Sequence, residues 1–425
     1  MSESLGRPGI SRRTLLTGGA SAFIGAGLVG RSLLSAPSAQ AQAGPAPAPA
    51  PVTGTPYSSG KRVDVHLAAT DGWVSMPDGS RADKPFFPDG LAPAPFDTYV
   101  FGFRDVTGLS ANQVIAQRGK AQISAPLLAF DEGDDIYITL TNLGLSVRPD
   151  LTDGHTLHWH GFNNAIPLFD GVPELSISVP IGRDFTYFYR PHEPGTYMYH
   201  CHFEDVEHVQ MGMTGLVYVR PRQNGNTSLY KSGLYAYNDG DGSTGYDREY
   251  PVFLSEIWSA AHYRDAHIQV SNWTDYAVSF WLMNGRAYPD TLKAPGSRGA
   301  TGQMVAPAGQ PRLQYQPHSS AITAKVGERV LLRVANLGYQ NHSMTCDGID
   351  LTVVAKDTNL LVGRDGSKNY ITSNTVDLGP GEARDVIFTA EQPGTFLFYD
   401  RDYAYGSNGG SAGRGGQMTT IVISA

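Results

Sequence analysis

The stretch GDDIYITLTNLG at 133–144 returns as GERVLLRVANLG at 327–338, and RPHEPGTYMY at 190–199 returns as TAEQPGTFLF at 389–398. Both pairs are offset by about 195 residues, which is a domain length and not a solenoid period. Any fold for this chain must therefore be buildable twice. The segments between Gly, Pro and Asn are short, alternating or β-branched, and none holds a long helical period. The expected class is all-β, with two tandem Greek-key β-sandwich domains. Domain 1 is placed at 60–222 and domain 2 at 246–425, with a connector at 223–245 and the Gly/Asp-rich NDGDGSTGYD (238–247) in the join. The 49 Gly and 28 Pro among 425 residues fit loop-rich domains, each with its own core.

The N-terminus has a different character. In SRRTLL (11–16), Arg12 and Arg13 precede a weakly apolar, Gly-rich run, and AQAQA (39–43) offers small-residue cleavage sites. This pattern reads as a twin-arginine export signal over 1–43, because its Gly-rich core is a poor spanning helix. A Pro/Ala spacer follows at 44–59, extended rather than packed. The expected location is the bacterial periplasm or beyond. Loss of 1–43 removes one Glu and four Arg, so a formal charge of −8 becomes −11. An acidic mature chain argues against nucleic acid or an anionic membrane as partner, and no other stretch is apolar enough to span a bilayer.

The chemistry concentrates in HTLHWHG (155–161) and YHCHFEDVEH (199–208). On a strand, residues i and i+2 share a face. His158 and His160 therefore point together while Trp159 points away, and His200 and His202 point together while Cys201 takes the other side. His155 is an odd number of residues from His158, which sends it toward Cys201 if the strand continues. One arrangement satisfies all of this: His155 and Cys201 meet inside the sandwich, and four histidines project together outside it. The loop after Cys201 supplies His208 and Met213, with Met211 a lesser axial candidate. Two imidazoles, a thiolate and a weak thioether are the donor set of blue copper. Cys346 is then a free, buried thiol, although an exported chain offers the alternative of a Cys201–Cys346 disulfide.

HTLHWHGFNNAIPLFDG, PGTYMYHCHFEDVEHVQMGMTG and FWLMNGRAYPDTL resemble the multicopper oxidases, in particular the two-domain, laccase-like members, over nearly all of 60–425. The resemblance implies cupredoxin-like domains and copper as cofactor. It implies His155, Cys201, His208 and Met213 as type 1 copper ligands. It also implies His158, His160, His200 and His202 as half of a type 2/type 3 centre, and Asp170 as a proton relay. A turn residue before Gly171 is an equal reading of Asp170. The implied reaction takes electrons singly from a reducing donor, a small molecule or a redox protein, and passes them to O2 or another small acceptor at a second copper centre. A homotrimer is the implied assembly, each outer cluster being covered by a neighbour's domain 2.

Domain 2 departs from that pattern. Laid over domain 1, His342 falls on His155, Thr345 on His158 and Asp347 on His160, while Tyr399, Asp400 and Arg401 fall on His200, Cys201 and His202. Only His342 survives as a histidine, and without its cysteine it reads as a hydrogen-bonded core residue. Arg401 cannot ligate a metal. Two or three coppers per chain are expected in place of four. Two alternatives stay open: a copper nitrite reductase-like enzyme, and an electron-transfer or copper-binding protein without turnover. His66, His192, His262, His267 and His318 read as surface or structural residues.

Overall fold

A computed structural model describes residues 57–425 except Asp83 and Asn164. The export signal and most of the Pro/Ala spacer lie outside the described residues. The short alternating segments form strands as expected, and the longest helix, Ser259–Ala266, has eight residues.

Four sheets carry the architecture, two in each half. In the first half, one sheet runs Thr98–Asp105, Arg62–Val74, Asp135–Asn142, Asp184–Tyr189, and the other runs Leu128–Asp131, Thr214–Arg220, Gly195–His200, His158–His160. In the second half, Phe280–Met283, Arg248–Ile257, Arg329–Asn336 and Glu382–Thr389 repeat the first order, and the sheet continues into Leu351–Lys356. Its companion repeats the second order as Ile322–Lys325, Met418–Ser424, Gly394–Asp400, His342–Cys346, and ends on Thr375–Leu378. Even the parallel pairings recur: Arg62–Val74 runs parallel to Asp135–Asn142, and Arg248–Ile257 to Arg329–Asn336. The sequence repeat is thus a repeat of strand order, and no sheet among the described residues mixes strands of the two halves.

Each half fills its sandwich with one large apolar cluster. The first is aromatic-rich, with Tyr99, Phe101, Phe103, Trp159, Tyr187, Tyr189 and Tyr199 all buried. Trp159, the inward partner of the HWH segment, lies between Phe130 and Tyr189, its ring 4.6 Å from that of Tyr189 and nearly parallel to it. The second cluster is aliphatic, built on Val330, Leu332, Val334, Leu351, Val386 and Ile421, and holds Cys346. Both cysteines are free and buried, so no disulfide links the halves.

The HWH strand is short and pinned from three sides. Leu157 N donates to the Tyr187 hydroxyl and Leu157 O accepts from the Tyr189 hydroxyl, each at 3.1 Å. Gly171 closes the third side at φ +78°, and a Cβ there would stand 2.2 Å from Leu157 O and 2.8 Å from His158 N. Both the left-handed backbone and the close approach demand glycine. Gly171→Ala should cost about 3 kcal/mol or more, read as a drop in unfolding midpoint. It should also displace His158, visible as a shift of that imidazole's NMR signals.

Candidate metal centre

The antiparallel strands Gly195–His200 and Thr214–Arg220 are in register through His200↔Thr214, and Cys201 N donates to Met213 O at 3.1 Å just beyond. Their connection is not the open loop expected from sequence but a helix, Asp205–Met211. Asp205 and Glu207 occupy its first turn, where carboxylates complement the helix dipole, and Gly212 ends it at φ +116°. His208, in the last turn, is thereby swung back over Cys201. One β-connection therefore carries Cys201, His208 and Met213. His155 arrives separately, from an isolated bridge with Val179 ahead of the HWH strand.

The inner pocket forms as the parity argument requires. Cys201 Sγ lies 3.2 Å from His208 Nδ1 and 3.8 Å from His155 Nδ1, and all three side chains are buried. Met213 is fully buried in the same cluster, as is Met211. Burial pushes the Cys201 thiol up, but facing His208 and His155 overcomes this and leaves it well below its usual range, as a thiolate. Burial likewise lowers His208, yet the Cys201 charge and the Asp153 carboxylate, 3.8 Å from His208 Nε2, push it up to about 10. The donor set fits copper. The ligand atoms of His155, Cys201 and His208 lie within 4.8 Å of one another, close enough for one ion to reach them, and a thiolate with imidazoles suits a soft, imidazole-binding metal. Both imidazoles turn Nδ1 toward the sulfur.

The outer cluster also assembles. His158 stands opposite His200 across the strand pair, with rings 5.2 Å apart. His158 and His202 rings are 5.2 Å apart and His160 and His200 rings 5.8 Å. Ligand atoms of His158, His160 and His200 lie within 4.8 Å of one another, and His202 stands just outside that group. Hydrogen bonds orient two of the rings. His158 Nδ1 donates to Asp170 O at 2.6 Å and His200 Nδ1 donates to Cys201 O at 2.9 Å, which frees Nε2 on each for a metal. Burial lowers His158 and His160, and lowers His200 to about 3, so these three are neutral with free lone pairs. The Asp170 carboxylate is 3.6 Å from His158 Nδ1, so its backbone, more than its side chain, holds the ring. From the second half, Gly381 backs His160: a Cβ there would meet Nε2 at 3.0 Å.

Sequence reasoning missed what replaced copper in the second half. The alignment holds: Thr345 faces Tyr399 as His158 faces His200, and Cys346 faces Phe398 as Trp159 faces Tyr199. At the inner position, His342 Nδ1 lies 2.8 Å from Asp400 and its Nε2 3.3 Å from Glu256, all three side chains being buried. The carboxylates flank opposite ring edges and do not converge, so the three make an ion triad and not a metal site. At the outer position, Thr345, Asp347, Asn374, Tyr399, Arg401 and Tyr403 line a cavity of about 440 Å³ that none of the outer histidines lines. Tyr399 donates to Asp347 at 3.1 Å. The remaining histidines stand apart from both clusters, with His66 bonded to Thr141, His267 to Asp89 and His262 to the Tyr99 carbonyl.

Cupredoxin-type sandwiches holding a buried His–Cys–His pocket define the class of this protein. Two family models described as multicopper oxidase match residues 106–224 and 248–423. The chain belongs to the multicopper oxidase family, whose cofactor is copper. Laccase-3 of Botryotinia fuckeliana is 29% identical over 279 residues, 64% of this chain and 49% of that protein. Multicopper oxidase MCE of Talaromyces pinophilus is 37% identical over 106 residues, 24% of this chain and 16% of that protein. The chain thus spans about half or less of these curated relatives. The blue copper oxidase of Nitrosomonas europaea superposes with a TM-score of 0.60 at 24% identity, covering 85% of this chain and 86% of that one. A copper nitrite reductase from the same organism gives 0.53 at 17%, covering 86% and 94%. At these identities the two superpositions speak to fold.

The triad makes a pH dependence with a definite sign. Burial lowers His342, but Asp400 and Glu256 outweigh it and raise the imidazole above its ordinary 6.5. Burial raises Glu256, but His342, Tyr276 and the Tyr339 amide bring it below its ordinary 4.5. A raised histidine stabilises fully below 6.5 and loses that stabilisation as pH climbs through its folded value. The lowered Glu256 stabilises above 4.5 and fails as pH falls through its folded value. The gap in unfolding midpoint between the native chain and His342→Asn should therefore be widest between pH 4.5 and 6.5. It should narrow toward alkaline pH, as a thermal melt series will show.

Proposed function

We propose that this chain is an exported, copper-dependent oxidoreductase, taking single electrons from a reducing donor at the inner pocket and delivering them to O2 or another small acceptor at the outer cluster. The observation that carries this reading is adjacency: Cys201 of the inner pocket is bonded in the chain to His200 and His202 of the outer one. Bound copper would supply one-electron redox chemistry at both sites, a His2Cys set with a weak axial thioether being that of blue copper. In this reading His155, Cys201 and His208 are the type 1 ligands with Met213 axial, and His158, His160, His200 and His202 are domain 1's share of a type 2/type 3 centre. The two repeats act as domains over 60–222 and 246–425.

The chain's own residues do the remaining work. Cys201 is already a thiolate before metal arrives, held by His208. Asp170 fixes the His158 ring through its carbonyl, and its partly exposed carboxylate beside the same nitrogen suits it to pass protons from solvent. A donor approaches through the cavity of about 280 Å³ lined by Arg148, Glu207, Met211, Asp265, Gln269 and Trp273, against the helix that carries His208. Export follows the Arg12–Arg13 signal to the periplasm or beyond, and replacing both by Lys should strand the precursor in the cytoplasm.

A homotrimer completes the outer site. Ile166, Leu175 and Ile177, 56%, 73% and 41% exposed, form an apolar run on either side of Asp170. The Asp347–Tyr399–Arg401 face stands away from the histidines of its own chain. A head-to-tail ring that sets this face over a neighbour's cluster covers both surfaces. Native mass measurement should give three chains, and a monomer with full activity would exclude the assembly.

The copper-loaded protein should be blue, since a thiolate bound to Cu(II) in this geometry absorbs strongly in the visible. Cys201→Ser should abolish the colour and His208→Ala weaken or abolish it, while His158→Ala or His202→Ala should lower the copper count without bleaching. Two or three coppers per chain are expected, because the facing Asp347 and Tyr399 are few donors and Arg401 adds a cation. Metal analysis with electron paramagnetic resonance, and O2 uptake with a phenolic donor, test the reading. A colourless copper-loaded wild type would sink it, and a blue protein that turns over neither O2 nor nitrite would reduce it to electron transfer.

A further inference from the structure

The ion triad of the second half and the copper-ligand helix of the first are joined by hydrogen bonds. Glu256, on the strand Arg248–Ile257, accepts from the Tyr339 amide at 2.9 Å and the Gln340 amide at 3.0 Å. It also accepts from the Tyr276 hydroxyl at 2.6 Å. Tyr339 then reaches across, its hydroxyl donating to Val206 O at 2.5 Å. Gln210 reaches back, its Nε2 donating to the Glu256 carbonyl at 2.9 Å. Val206 and Gln210 are four apart in the helix Asp205–Met211 and so share one flank. His208 is two residues from each, about 200° around the axis. The flank that docks on the second half is therefore opposite the flank that offers His208 to Cys201.

Apart from its C-terminal turn, where Met211 joins the first core and Val209 leans on a neighbouring apolar cluster, little fastens this helix. It has seven residues, its N-cap Glu204 makes no side-chain cap and sits in the left-handed region at φ 48°, and Val206 is half-exposed. A helix of two turns has little stability of its own. Its position is consequently set by its two ends, by the packing of Val209 and Met211, and by the bonds from Tyr339 and to the Glu256 carbonyl. Glu256 is itself immobilised by the three bonds it accepts: the His342 imidazole, bonded to Asp400, faces Oε1 at 3.3 Å as a counter-charge, and Gly338 leaves room for the carboxylate, a Cβ there standing 2.5 Å from Oε1.

We infer that Glu256, His342 and Asp400 are positioning residues for the type 1 site: the ion triad of the second half fixes Tyr339, and Tyr339, with Gln210 anchored on the backbone of the Glu256 strand, sets the distance of His208 from Cys201. The inference rests on the type 1 assignment above. A metal held by a soft thiolate and two imidazoles responds in colour and potential to small displacements of its ligands and their surroundings. The second half thereby tunes a site to which it contributes no ligand.

Tyr339→Phe removes one hydroxyl and Glu256→Gln removes the charge facing His342. Tyr250→Phe is the control, deleting a hydroxyl bonded to Thr323 O in the same half but away from the helix. In the copper-loaded protein, the first two should move the visible band and the copper hyperfine splitting, and release copper to a chelator several-fold faster. The control should match the native chain. In the metal-free protein, the same two variants should shift the imidazole NMR signals of His155 and His208, a readout that needs no copper. If Glu256→Gln fails to fold, Tyr339→Phe carries the test alone. Failure of the type 1 assignment shows as a colourless native protein. Unchanged imidazole signals in Tyr339→Phe, whatever the colour, would overturn the inference.

Discussion

A buried thiolate is tolerated only against a positive partner, and the pairing of Cys201 with His208 is the contact on which the first half depends. Desolvation alone would keep the sulfur protonated and the imidazole neutral. Together they transfer the proton, because an isolated buried charge costs far more than a close pair. That pairing explains why a helix interrupts an otherwise plain strand connection. Seven residues of extended chain from Cys201 would carry position 208 some 20 Å away, whereas helical turns return it to within 3.2 Å. The same pairing makes the pocket selective, since a preformed thiolate with two Nδ1 donors favours soft, imidazole-binding metals over hard ones.

The second half faces the same geometry with other residues. Where Cys201 and His155 meet in one repeat, Asp400 and His342 meet in the other, at the same place in the same sheet. A carboxylate is a harder, more strongly hydrated anion than a thiolate, and one alone would leave His342 Nε2 unpartnered inside the protein. Glu256, on a strand of the facing sheet, sets its carboxylate 3.3 Å from that nitrogen as a counter-charge. With a carboxylate facing each ring edge, the protonated imidazole is favoured, and in that form it offers a metal no lone pair. Outside, hydroxyls replace imidazoles, with Thr345 bonded to Thr375 and Tyr399 to Asp347. The strand order is shared, while the His–Cys–His pocket and the four-histidine cluster of the first half have no counterpart among the described residues of the second.

The histidine parities were legible because period-two alternation is a property of the backbone, and His158, His160, His200 and His202 all lie on or beside regular strand. His155 was placed on the right side for a weaker reason, since the strand begins only at His158 and an isolated bridge does the placing. The Asp205–Met211 helix was not legible. Seven residues are too few for a 3.6-residue period to stand out, and its only marks are two acidic residues in the first turn and Gly212 after it. The Asp400 partner of His342 was visible by alignment with Cys201. Glu256 was not, because nothing local distinguishes a carboxylate that pairs across strands from one that faces water. Tyr339 and Gln210 are hidden for the same reason: their partners belong to the other half of the chain.

The glycines of the repeat show how far internal similarity can be trusted. Gly144 and Gly338 close the matched segments NLG and NLG, and a sequence comparison treats them as one feature. Gly144 adopts φ +68°, so its backbone requires glycine. Gly338 is not in that region; it is glycine because the Glu256 carboxylate occupies the space its Cβ would fill. The first glycine therefore serves a turn and the second serves the ion triad. Identical residues at matched positions report shared backbone paths, whereas the chemistry at each position depends on what the other strands deliver to it. That is why one sandwich pattern can appear twice in a chain, holding a thiolate pocket in one copy and an imidazole between two carboxylates in the other.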